Sequence, residues 1–259
     1  MARPARNAPR HDRDAGGDEG LLAAKAALRE EVWEALGEAG ITRFPGPYGR
    51  IPNFTGAEAA ARRLAATDEW QAASTVKANP DSPQWPVRQR ALEDGKTVYM
   101  AVPRLAEARP FFLLDPALLA DSPRAASSIK GAARSAQTVD LDRLDPVDLV
   151  VAGSVAVAED GARLGKGGGF SDLEFAVASA AGLIGPDTVV VTTVHERQVL
   201  SAGRIPTTTH DTWVDIIVTP ERVLRAPRHR RSEVGIRWDE LTEEKILAIP
   251  LLARLRAAQ

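Results

Sequence analysis

The chain has 259 residues, 44% of them hydrophobic and 26% charged, the composition of an ordinary globular protein with a core of its own. A net charge of −2 argues against a dedicated nucleic-acid or membrane-surface partner, and no apolar run approaches the roughly 18 residues that cross a bilayer. The absence of cysteine excludes a disulfide scaffold, a zinc–thiolate site and a cysteine nucleophile, and fits a cytoplasmic location.

Residues 1–20 are rich in Arg, Asp, Gly and Pro, lack the apolar stretch of a secretory signal, and read as a disordered extension. The remainder, 21–259, reads as a single domain. Leu22, Ala26, Val32 and Leu36 recur at helical spacing and predict a helix over 21–37 that stops at Gly37. Three prolines and two glycines make 44–52 a loop. Thr55 is placed to cap a helix over 56–66, with a short helix near 69–74 and a short strand at 76–77. Two prolines hold 79–84 extended; a helix over 87–94 ends at Gly95, and 97–102 is a buried strand. The polar stretch 121–145 reads as a connecting excursion. Three β-branched runs, 149–157, 188–194 and 214–219, have the character of buried parallel strands, with a helix at 171–182 between the first two. A terminal helix over 241–255 is broken by Pro250. Strand, glycine loop, helix, strand is the grammar of an open α/β sheet.

The strongest chemical signal is Arg163-Leu164-Gly165-Lys166-Gly167-Gly168-Gly169-Phe170-Ser171-Asp172. Four glycines in five positions free the backbone to turn its N–H groups toward one anion, and the following helix adds its positive end. Arg163 and Lys166 supply cations, and Asp172 is placed to hold a Mg²⁺ that bridges phosphates. The spacing is neither a P-loop nor the dinucleotide-binding fingerprint, and the bland alternative is a capped glycine turn. Lys25 and Arg29, one helical turn apart, read on their own as a solvated face paired with Glu30 or Glu34. His210-Asp211 reads as a turn, His195-Glu196 as a polar strand end, and the tryptophans as core.

These residues taken in order resemble the 5-formyltetrahydrofolate cyclo-ligase family. The glycine run matches its signature loop, and Lys25-Ala-Ala-Leu-Arg29 its N-terminal phosphate-reaching helix. Leu92 to Lys96 with Pro103, Gln198, and Ile205-Pro206 through His210-Asp211 to Thr219 follow in the family's order. Three departures stand out: Phe170-Ser171 replaces a tyrosine pair, Leu173 an arginine, and Asp81 the glutamate that faces the formyl-folate. Residues 79–84 and the C-terminal Gly235 to Pro250 look more like a divergent branch that includes the methenyltetrahydrofolate synthetase domain-containing proteins.

The resemblance implies a three-layer, mostly parallel α/β sheet of the ribose-5-phosphate isomerase and CoA-transferase type. It also implies ATP and Mg²⁺ as cofactors and ATP-driven closure of 5-formyltetrahydrofolate to 5,10-methenyltetrahydrofolate. In that scheme ATP lies on Lys25, Arg29, Arg163, Gly165, Lys166, Gly167, Gly168, Gly169, Phe170 and Asp172. Asp172 and Asp211 support the metal, and Asp81, Gln84 and Lys166 act at the substrate. The partner is a small molecule, formylated folate or a related carbonyl compound, and the protein a monomer or homodimer. Two alternatives remain: an ATP-using enzyme for another carbonyl substrate, and a non-catalytic folate- or nucleotide-binding protein.

Overall fold

The computed structural model describes residues 15–208, 211–227 and 235–258. The chain opens with helix α1 (Ala15–Glu38), followed by α2 (Ala57–Ala65) and α3 (Asp68–Ala72). Next come β1 (Thr75–Ala78), α4 (Trp85–Glu93), β2 (Thr97–Ala101) and β3 (Phe111–Leu114). The middle holds α5 (Pro123–Ala126), α6 (Ile129–Ser135), β4 (Gln137–Val139), β5 (Leu149–Val151), β6 (Ala156–Ala158) and β7 (Arg163–Leu164). The last part comprises α7 (Phe170–Ala180), β8 (Val189–Thr193), β9 (Val199–Leu200), β10 (Ile216–Val218), β11 (Val223–Arg225), α8 (Glu243–Ala248) and α9 (Pro250–Ala257).

Eight strands form the main sheet in the order β11-β10-β8-β5-β1-β2-β3-β4. The five central ones, β10, β8, β5, β1 and β2, pair in parallel. Both edges are antiparallel: β3 and β4 on one side, β11 on the other. Alternation along the strands builds two cores. Val76, Ala78, Val98, Met100, Leu149 and Val151 face helices α2 to α6, while Tyr99 and Val150 face α7. The outer part of that second face, at Ala101 and Phe111, carries α7, α8 and α9. Helices, sheet and helices make the three-layer α/β architecture that the sequence predicted.

The differences have local causes. Helix α1 begins at Ala15, so residues 15–20 of the segment read as an extension are helical. Its buried face is Lys25, Leu28, Val32, Trp33 and Leu36, whereas Leu22 stays 62% exposed. Gly56, at φ 100°, is the N-cap of α2 in place of Thr55, so no side chain accepts from the first N–H groups of that helix. The apolar run 149–157 is two strands, because the chain leaves the main sheet after Val151 and enters a small sheet of order β7-β6-β9. Hydrophobicity alone does not mark that break. The excursion 121–145 carries α5, α6 and β4.

From β1 the chain moves to β2 in one direction and reaches β5, β8 and β10 in the other. The switch point therefore lies beyond the carboxyl ends of β1 and β5, where open α/β sheets bind ligands. Asn79 follows β1 there, and Gly153 follows β5.

Candidate functional site

The glycine loop, residues 165–169, joins β7 to α7. Gly167 and Gly169 take φ values of 98° and 65°, the left-handed region that glycine occupies without strain. Gly169 is the N-cap of α7, so the open N–H groups of that helix lie beside the loop. A β-carbon on Gly167 would sit 3.4 Å from the Arg29 guanidinium carbon. Helix α1 runs past this loop, packed on the small sheet through Leu28, Val32, Trp33 and Leu36. From it, Arg29 Nε donates to the Gly165 carbonyl at 2.7 Å. Burial lowers the Arg29 pKa, and the nearby Asp211 only partly offsets it.

Three more cations here, Lys25, Arg163 and Lys166, are engaged with carboxylates. One turn before Arg29, the buried Lys25 ammonium meets both Asp211 oxygens, at 2.7 and 2.6 Å. Asp211 Oδ2 also accepts from the Thr208 N–H at 2.7 Å. Arg163 is a buried strut at 3% exposure: Nη1 donates to the Gly153 carbonyl at 2.9 Å and Nη2 to Asp172 at 2.5 Å. Burial opposes ionisation of Asp172, but Arg163 and the Thr212 hydrogen bonds outweigh it and hold the carboxyl below its ordinary range. Lys166, the loop's own lysine, reaches across to Asp81 Oδ1 at 2.8 Å.

Asp81 belongs to the turn after β1, and a buried arginine shapes that turn. Arg88, from α4, donates to the carbonyls of Asn79, Pro80, Asp81 and Ser127. Complete burial pushes its pKa down to about 10, partly offset by Asp81. Asn79 ties the turn to the glycine side. Its Oδ1 accepts from the Gly153 N–H at 3.1 Å and from the Ser171 hydroxyl at 3.2 Å. Its Nδ2 donates to Glu174 at 2.9 Å, and Lys77 joins the same carboxylate at 2.8 Å. Burial raises the Glu174 pKa, although Lys77 pulls it the other way.

Gln84 closes this corner. Its side chain is 0% exposed, and neither amide atom has a hydrogen-bond partner. It lies against Gly153, where a β-carbon would come within 3.0 Å of Gln84 Oε1 and 3.1 Å of Asp81 Oδ2. The absent side chain at Gly153 leaves room beside both.

The structure thus sets Arg29 and Lys166 at the glycine loop, joins Lys166 to Asp81, places Asp81 and Gln84 against Gly153, and keeps Lys25, Arg163, Asp172 and Asp211 in ion pairs nearby. Gln198 is structural, donating to the Ser154 and Val155 carbonyls. His195 caps its own turn, Glu196 pairs with Arg222, and His210 lies outside the described residues. Among the described residues no group of three or more His, Cys, Asp or Glu side chains is placed to cage a metal. Of the two carboxylates expected to support Mg²⁺, Asp211 is saturated by Lys25 and Thr208, while Asp172 keeps 35% of its side chain exposed. Leu173, in contrast, is buried with α8 and α9.

Sequence reasoning missed Arg88, Asn79, Lys77, Glu174 and Gly153. Lys77 and Glu174 carried a usable signal, since Lys77 is the one charge of its strand and Glu174 sits within the apolar run Leu173–Val177, and such charges stay buried only when paired.

Comparison with known proteins supplies the family. The 5-formyltetrahydrofolate cyclo-ligase family model matches residues 21–220. The methenyltetrahydrofolate synthase domain-containing protein of Mus musculus is 38% identical over 235 residues, covering 90% of this chain and 63% of that protein. Its Homo sapiens counterpart is 35% identical over 238 residues, 91% and 62% of the two chains. The chain thus spans less than two thirds of these relatives' length. The 5,10-methenyltetrahydrofolate synthetase of Aquifex aeolicus shares the fold, with a TM-score of 0.51 at 19% identity, over 84% of this chain and 99% of that one. No helix among the described residues is long and apolar enough to cross a membrane. With the matched segment running from α1 through the glycine loop to the end of β10, the chain belongs to the 5-formyltetrahydrofolate cyclo-ligase family.

Proposed function

We propose that this chain is an ATP- and magnesium-dependent ligase that closes 5-formyltetrahydrofolate to 5,10-methenyltetrahydrofolate. The 2.8 Å contact between Lys166 and Asp81 carries this reading. It joins the phosphate cradle to the loop that would face the formyl group, so ligands on the two sides would meet directly. ATP would supply the phosphoryl group that turns the formyl oxygen into a leaving group, its bond to the β-phosphate breaking to release ADP. The change balances with that oxygen leaving as phosphate, N10 bonding to the formyl carbon and the N10 proton passing to solvent.

The protein's share is positioning and charge neutralisation. The N–H groups of the glycine loop and of α7 would face the phosphates, with Arg29 and Lys166 turning from their present partners toward them. Lys25 would be held in place by Asp211. A magnesium ion keeps near-octahedral oxygen ligation and commonly takes one or two carboxylates plus phosphates. Asp172, with its exposed edge, is the carboxylate suited to it. The orphaned Gln84 amide offers a donor and an acceptor side by side, the complement of a lactam edge such as a pterin presents.

The test mixes the protein with 5-formyltetrahydrofolate and Mg-ATP and follows the absorbance of the methenyl product. Because Ser171 is bonded to Asn79 and Leu173 is buried, turnover should fall below the ~10 s⁻¹ of a typical enzyme. ATP binding without any methenyl product would overturn the substrate and favour a different carbonyl compound. Gly167→Val, strained at φ 98°, should abolish ATP binding in calorimetry.

A further inference from the structure

Beyond residue 220, where the family match ends, the chain adds α8 and α9. Ile246 and Ile249, both 2% exposed, pack with Leu173 and Val177 of α7, the helix that the glycine loop opens. This anchorage fixes Lys245 over the loop. Its ammonium lies 3.4 Å from the Gly168 carbonyl and 5.3 Å from the centre of the Phe170 ring. A β-carbon on Gly169 would come within 3.3 Å of it.

The surroundings of this lysine differ from those of its neighbours. Lys25, Arg163 and Lys166 each hold a carboxylate. Lys245 is half-buried, and among the residues whose side chains are described no ion pair includes it. A long bond to one carbonyl and a ring face are weak substitutes for an anion. The loop beneath it turns two glycines into the left-handed region and leads straight into the N-terminus of α7. Its carbonyl contact is thus adjacent to the backbone best suited to a phosphate chain.

We propose that Lys245 is a phosphate-binding residue of the nucleotide site, delivered by the C-terminal segment as a clasp. On binding, its ammonium would leave the Gly168 carbonyl for an oxygen of the triphosphate. This inference rests on the reading of 165–169 as an ATP loop, and it adds a cation that the segment matched by the family does not contain.

The experiment measures binding of Mg-ATP and of inorganic tripolyphosphate to the full chain by calorimetry. Lys245→Met keeps an unbranched apolar stem over Phe170 and removes only the charge. It should weaken both ligands by about 10- to 100-fold, the scale of a hydrogen bond to a charged group, and flatten the salt dependence of binding. Lys245→Arg should recover most of the affinity, and Glu244→Ala, one residue away and exposed, should leave it unchanged. Thermal melting checks that each variant is folded. If the unmodified chain binds both ligands and Lys245→Met binds them equally well, Lys245 has no such role and the ATP loop stands. A loss confined to ATP, with tripolyphosphate unaffected, overturns the phosphate contact. No binding by the unmodified chain overturns the ATP loop and the clasp together.

Discussion

The two sides of the crevice are finished to different degrees. Around the glycine loop, Lys25, Arg163 and Lys166 already hold carboxylates, Arg29 already holds a carbonyl, and only the Arg163 Nε is left buried without a partner among the described residues. In the corner after β1, the Gln84 amide is fully buried with no partner, although Arg88 satisfies the turn that carries it. A phosphate ligand must therefore compete with existing ion pairs, whereas a carbonyl ligand would supply hydrogen bonds that the protein lacks. Orphaned buried groups cost stability, and under the proposed function the Gln84 amide is the one reserved for ligand.

The largest way to break this contrast is to remove the brace. Arg88→Ala takes the donors away from four backbone carbonyls and leaves a void under the turn. Stability should fall by roughly 3–5 kcal/mol, as when one partner of a buried charged group is deleted. Urea unfolding measures it. A loss under about 1 kcal/mol would mean that water or other donors satisfy the turn, and the corner is then less rigid than its geometry suggests.

The opposite sign is expected one residue after the turn's second proline. Gln84→Leu removes two unpartnered polar atoms at similar volume, so the unliganded protein should gain about 1 kcal/mol. Turnover of the formylated substrate should drop sharply in the same variant. A stability gain joined to a loss of activity is what a group reserved for ligand produces. If Gln84→Leu is destabilised instead, the amide has partners in solution and the corner is as complete as the glycine side.

Much of this was legible in the chain, for physical reasons that differ from place to place. The central strands announce themselves because burial on both faces demands unbroken apolar runs such as Val189 to Val191. The glycine loop is legible as a turn that opens a helix, because four glycines in five positions neither continue a strand nor start a helix, while its ligand is not legible from the glycines alone. The break after Val151 was invisible, since β5 and β6 are equally apolar and only their partners differ. Arg88 looked like one more charge in an arginine-rich helix; its role depends on a turn nine residues earlier in the chain. The face of α1 was misplaced because a buried Lys25 does not count as apolar, and only Asp211, 186 residues away, makes its burial tolerable. Lys245 was hidden by distance of the same kind.

The smallest expected effect concerns Asp172, and it separates charge from shape on the glycine side. Burial alone would raise its pKa, but Arg163 and Thr212 bring the folded value below the ordinary carboxylate range. A group depressed on folding stabilises the protein fully above its unfolded pKa, near ~3.9, and that contribution vanishes as pH falls through the folded value. Asp172→Asn lacks the contribution at every pH. The two proteins should therefore differ most near neutral pH, by a modest amount because about a third of the side chain is exposed and solvent screens it. Their unfolding curves should converge in acid, where the native carboxyl is protonated and Arg163 faces a neutral partner in both. Other titrating groups cancel in the difference. A gap that persists unchanged into acid would show that Asp172 acts through the shape of its hydrogen bonds to Thr212, and that the Arg163 pair contributes no net charge stabilisation to the cradle.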